Sequence, residues 1–193
     1  MTLDERLYVR GVLPAGGVAI VGSRTPPPEA ARFAYYLASR LGEPIIAGLA
    51  TGIDAAAHRG ALVSGVPTVA FVGYGFGATY PPEHAALEEA IVVAGGAVAT
   101  LCPPETPVSG GALVARDRLQ AQHASAVVLV CSELEGGAMH TMRFARELQK
   151  PRFAVVPPDD AQDPVWAGNR ACIEAGATPM PFDVDAAIAL LRA

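Results

Sequence analysis

Several protein classes are excluded by what this chain has little of. No apolar run approaches the roughly 18–20 residues needed to cross a bilayer. The N-terminus carries Asp4, Glu5, Arg6 and Arg10 where a secretory signal would need an apolar stretch. No membrane span or export signal is expected, and the expected location is the cytoplasm. Cysteine is scarce: Cys102, Cys131 and Cys172 are odd in number and show no metal-ligand spacing. Neither a disulfide framework nor a zinc site is indicated, and the three read as small core residues. Charged residues make up only 17% of the chain, with a formal net charge of −5. A whole-surface basic field for nucleic acid is therefore excluded, while a local basic site is not. The 20 glycines and 17 prolines are about a fifth of 193 residues, below the roughly 25–30% of low-complexity sequence.

What remains is rich in core-forming residues: 51% of the chain is hydrophobic, and mean hydropathy is +0.32. One well-filled core, hence one domain over 1–193, is the expectation. Short β-branched runs alternate with longer Ala- and Leu-rich stretches, the pattern of βαβ units. Strands are predicted at Val18 to Val21, Pro44 to Ala47, Thr68 to Val72, Ala97 to Thr100, Ala126 to Val130 and Phe153 to Val156. Their nearly continuous apolar character suits strands buried on both faces. Leu7 to Val9, within a lead-in over 1–16, adds an edge strand. Helices are predicted at Pro28 to Leu41, Ile53 to Ser64, Pro81 to Ala94, Arg116 to Ala124 and Ala138 to Gln149. A turn-rich extension over 157–193 carries two short helices, Asn169 to Ala175 and Val184 to Leu191. With right-handed crossovers the fold class is α/β: an extended Rossmann-like, doubly wound, mostly parallel sheet with helices on both faces.

In such sheets ligands bind beyond the carboxyl ends of the strands, and four loops there are glycine-rich. Gly22, Ser23 and Arg24 follow the first buried strand and combine close backbone approach, a hydroxyl and a guanidinium, as a phosphate grip would. Gly48, Thr51 and Gly52 open the next helix, which carries Asp54, His58 and Arg59. Here two readings are open: an anion-binding nest, or an Asp54 that satisfies backbone amides at the helix start. The four-residue spacing from Asp54 to His58 predicts a hydrogen-bonded pair. The third loop, Gly73 to Gly77, lacks the glycine spacing and the following helix of a dinucleotide site. Its Tyr74, Phe76 and Tyr80 either stack on bases or pack beneath the loop. Gly136 and Gly137 lead into a helix with His140 and Thr141 in its opening turns. Arg116 and Arg118, flanking Asp117, complete the candidate site. No Ser-His-Asp order, paired carboxylates or His/Cys cluster stands out, so no catalytic residue, metal or cofactor is assigned.

These residues also carry a resemblance. Val18-Ala19-Ile20-Val21-Gly22-Ser23-Arg24, followed by the block from Gly48-Leu49-Ala50-Thr51-Gly52-Ile53-Asp54 to Leu62, resembles the DNA-processing protein A (DprA/Smf) family. Tyr80-Pro81, Phe153-Ala154-Val155 and Gly168-Asn169 are further matches, and the likeness covers almost the whole chain. It implies a homodimeric protein that binds single-stranded DNA and helps load the recombinase RecA during natural transformation. The family's DNA-contacting glycine-serine-arginine loop falls on Gly22, Ser23 and Arg24, and its arginine-asparagine-arginine motif on Arg116, Asp117 and Arg118. The N-terminal helical and C-terminal winged-helix domains of many members are not expected within these 193 residues.

Thr51 stands where the family usually has Arg, Asp117 where it has Asn, and Gly136-Gly137-Ala138 where it has serine-glycine-serine. With Arg24, Arg59, Arg116 and Arg118 as available cations, roughly two to four phosphate contacts are expected. Two further readings use the same loops. One is a nucleotide sensor, or an enzyme similar to the nucleoside-monophosphate phosphoribohydrolases, although Phe144 stands where their catalytic Glu would fall. The other is a partner subunit that binds protein only.

Overall fold

The computed structural model describes residues 6–158, 161 and 163–193. Asp4 and Glu5 of the lead-in, and residues 159, 160 and 162 of the extension, lie outside the described residues. Among the described residues, eight strands form one sheet: β1 (Tyr8–Gly11), β2 (Val18–Val21), β3 (Ile45–Ala47), β4 (Thr68–Phe71), β5 (Ala97–Thr100), β6 (Ala126–Leu129), β7 (Arg152–Val155) and β8 (Thr178–Met180). Their spatial order is β1-β5-β4-β3-β2-β6-β7-β8. Every pairing is parallel except β1 with β5, where Tyr8 faces Thr100 and Gly11 faces Ala97.

The described residues also form seven α-helices: α1 (Pro28–Leu41), α2 (Ile53–Val63), α3 (Ala85–Val93), α4 (Gly110–His123), α5 (Ala138–Glu147), α6 (Ala167–Glu174) and α7 (Val184–Leu191). Alternation along β2 divides the core into its two layers. Val18 and Ile20 face α1, where Phe33, Leu37 and Leu41 recur at helical spacing and are buried. Ala19 and Val21 face the opposite layer, with Ala121 of α4 and Met142 and Ala145 of α5. A third cluster seats Leu87 and Ile91 of α3 on Ala70 and Val98. Among the described residues, no helix is long and apolar enough to cross a membrane.

Three differences from the sequence expectation stand out. Helix α4 begins at Gly110 and not at Arg116, because Ser109 caps it: the Ser109 hydroxyl accepts from the Ala112 amide at 3.2 Å. That bond satisfies a donor which two glycines would otherwise leave exposed. Residues Pro82–His84 form a 3-10 turn ahead of α3. An unforeseen strand, β8, closes the far edge, and its Pro179 is tolerated because an edge strand has one unpaired side.

Candidate nucleic-acid interface

The chain builds from β2 outward through β3, β4 and β5, then returns to place β6 on the other side of β2. Strand order therefore reverses between β2 and β6, and a crevice at such a switch point is where open α/β sheets bind ligands. A cleft of about 470 Å³ lies there. The β2 loop supplies Gly22, Ser23, Arg24 and Thr25 to its walls, and the β6 loop and the start of α5 supply Gly136, Gly137, His140 and Thr141.

Both loops are held from behind. The Ser23 amide donates to Cys131 O at 2.7 Å, tying the β2 loop to the end of β6. Thr25 N donates to Ser23 Oγ at 3.2 Å, which fixes the turn that leaves Arg24 exposed. Asn169, fully buried, accepts from Ser132 N at 3.1 Å and donates to Val130 O and Val155 O, both at 2.9 Å. It thereby pins the carboxyl ends of β6 and β7 beneath the β6 loop. The Gly137 and Ala138 amides have no carbonyl partner among the described residues. Such helix-start donors suit an anionic oxygen.

The second glycine loop works differently. Asp54 Oδ2 accepts from Gly48 N at 3.1 Å and from Ala50 N at 3.2 Å, so the carboxylate already occupies the amides that a nest would offer. Gly52, at φ 77, brings α2 against the β2 loop: a Cβ there would lie 2.3 Å from Ser23 O, and Ile53 N donates to that oxygen. Arg116 crosses above Gly48 so closely that a Cβ at that position would meet Nη1 at 1.0 Å.

Arg116 is 7% exposed and lies between two carboxylates, with Nη1 3.6 Å from Asp54 Oδ2 and Nε 3.0 Å from Asp117 Oδ1. Its charge is thus compensated inside the protein. Burial raises the pKa of Asp117 to about 7, against the pull of Arg116 and with a further push from Asp54. Burial also raises Asp54, although Arg116 and the two loop amides favour its ionised form. Two buried carboxylates competing for one guanidinium produce this pattern.

Several predicted site residues fall elsewhere. His58 does not pair with Asp54; its Nδ1 lies 2.7 Å from Thr68 Oγ1, which itself donates to Ile45 O. It is fully buried away from the cleft, and burial lowers its pKa to about 3. Arg59 is exposed on α2 but lines neither this cleft nor the neighbouring cavity. Arg118 turns to the other side of α4, 3.6 Å from Glu147 Oε2 and over the Phe144 ring. Thr51 and Gly48 line the neighbouring cavity of about 220 Å³, with Tyr74 and Tyr80. Arg24, Ala50, Leu113 and Arg116 line both spaces, so the two are contiguous. Tyr74 packs inward and donates to Glu88 Oε2 at 2.6 Å, whereas Tyr80 is 40% exposed. Gln120 and Glu133 also line the cleft. No sequence signal marks Gln120, a neutral residue one turn after Arg116; its place on the cleft follows from how α4 packs.

A doubly wound sheet with a cleft at its switch point defines an extended Rossmann-like domain. The chain belongs to the DNA recombination-mediator protein A family, whose profile matches residues 5–191. It is 33% identical over 164 residues to Protein Smf of Synechocystis sp., covering 83% of this chain and 40% of that protein. It is 38% identical over 143 residues to a putative DNA processing protein DprA of Mycobacterium tuberculosis, covering 72% of this chain and 36% of that one. The chain thus spans less than half the length of these relatives. It also superposes on DNA processing protein A from Helicobacter pylori, known for a unique single-stranded DNA binding mode, with TM-score 0.84 and 26% identity. That match covers 96% of this chain and 86% of the other.

Proposed function

We propose that the cleft between β2 and β6 binds the sugar-phosphate backbone of single-stranded DNA. One observation carries this reading: the β2 loop and the start of α5 converge on one cleft, with unpartnered amides on one side and exposed Arg24 on the other. Amides at a helix start and a guanidinium are the donors a phosphate takes. The contiguous cavity, with Tyr80 partly exposed beside it, extends the path and offers a ring for base stacking. Family membership and the likeness to the Helicobacter pylori protein support the same ligand.

On this reading the chain acts in the cytoplasm as a single homodimeric, non-catalytic DprA-like domain, presenting DNA for RecA-mediated recombination during DNA uptake. The alternative is a nucleotide sensor or phosphoribohydrolase-like enzyme. The place of a catalytic Glu in that alternative is taken by Phe144, whose ring lies under Arg118 and Arg143.

Gel-shift titrations with single-stranded DNA, duplex DNA and a mononucleotide test the proposal. Single strands bind tightest, and Arg24→Ala weakens them by about 1–3 kcal/mol at unchanged thermal stability, since a charge-assisted contact is lost and no core packing is. Saturable mononucleotide binding with release of free base and no affinity for strands overturns it.

A further inference from the structure

One group in the cleft is unexplained by phosphate binding. Gln120 is 1% exposed and lines the cleft, yet its Oε1 is enclosed with no hydrogen-bond partner within the chain. Arg116 Nε is in the same condition. It lies 3.0 Å from Asp117 Oδ1, within ion-pair range, but is not aligned to donate to it. Asp117 stands between the two, because Gln120 Nε2 donates to the same Oδ1 at 3.3 Å. Buried polar atoms are rarely left unpaired, and those that are need a reason.

The three side chains form an ordered array on one turn of α4: a donor at Arg116, an acceptor at Asp117 and an acceptor at Gln120. Each nucleobase presents its own order of groups along its pairing edge. Guanine offers an acceptor at O6, a donor at N1 and donors at the 2-amino group, in that sequence, the complement of this array. Thymine offers acceptor, donor, acceptor, so its second carbonyl would face the Gln120 oxygen. Cytosine offers a donor followed by two acceptors, opposing the array throughout. Adenine offers a donor where Arg116 also donates. Val21, Leu113 and Val114 give this part of the cleft apolar walls against which a flat ring can lie.

We infer that Arg116, Asp117 and Gln120 form a subsite for the pairing edge of a guanine base. The inference rests on the single-strand reading above and adds a base preference to it. Asp117 is central: a carboxylate accepts from guanine N1–H, which the carbonyl of an Asn matches only as a neutral and weaker partner.

The test is fluorescence anisotropy with three labelled strands of equal length: all thymine, thymine with one central guanine, and thymine with one central inosine. Inosine keeps O6 and N1–H but lacks the 2-amino group. Guanine is expected to tighten binding on the order of tenfold over all-thymine, with inosine between them. Gln120→Leu removes the guanine-over-inosine difference, read as the ratio of the two affinities within the variant. The wild-type comparison decides even if that variant does not fold. Equal binding of all three strands overturns the guanine subsite and leaves the single-strand reading standing. Competition by guanosine monophosphate but not thymidine monophosphate, with no strand bound, supports the subsite and overturns the single-strand reading.

Discussion

Replacing Asp117 with Asn gives a stability difference whose size and pH window follow from the structure. In the folded protein the carboxyl is held at about 7, against an ordinary 3.8, chiefly because burial disfavours its charge. Between those values the native state binds a proton that the unfolded chain has released, so this group's contribution falls as pH rises from about 4 to 7. Three pKa units at 1.36 kcal/mol each bring that loss to about 4 kcal/mol. His58 works in the opposite sense. Its folded value of about 3 lies below its ordinary 6.5, so its contribution is complete above about pH 6.5 and is lost as pH falls toward 3. The two slopes oppose each other over about pH 4–6.5, and wild-type stability alone would hide both. The difference between Asp117→Asn and wild type isolates the carboxyl. Urea unfolding at several pH values should show the variant gaining on wild type as pH rises from about 4 to about 7, then levelling off. Parallel curves for the two proteins across this range would refute a carboxyl whose pKa burial raises.

Gly48→Ala places a methyl group on the Arg116 guanidinium. It should cost about 1–3 kcal/mol in thermal or urea unfolding, through displacement of a buried ion pair; an unchanged midpoint contradicts the packing described. A dimer at micromolar concentration is expected by light scattering, and a mass near 19.9 kDa excludes it.

The strands were legible because burial on both faces writes a continuous apolar run: β2 has its expected bounds, and β3 to β7 agree to within a residue or two at each end. Parts of the candidate site were legible for a related reason: Gly22, Ser23 and Arg24 directly follow β2, Gly136 and Gly137 lie in the β6 loop and Thr141 in the opening turns of α5, and all line the cleft. What could not be read depends on contacts between distant segments. The partner of His58 is Thr68 on the next strand, not Asp54 on the same helix face. Asp54 reaches back to the amides of its own loop. Arg116 and Arg118 look equivalent in sequence, but the helix that carries them starts earlier than its glycines suggest. It buries Arg116 between carboxylates and turns Arg118 toward Glu147.

That last difference revises the number of phosphates the cleft can neutralise. Of the four arginines counted from sequence, only Arg24 is both exposed and on the cleft, and Arg116 is compensated by Asp54 and Asp117. One or two phosphate contacts remain, not two to four. The salt dependence of single-stranded DNA affinity, compared between wild type and Arg24→Ala, measures this directly. At about −0.7 per contacted phosphate, the expected log-log slope is about −0.7 to −1.4 for wild type, made shallower by about 0.7 in the variant. A slope that Arg24→Ala leaves unchanged would place the phosphates elsewhere and contradict the assignment of this cleft.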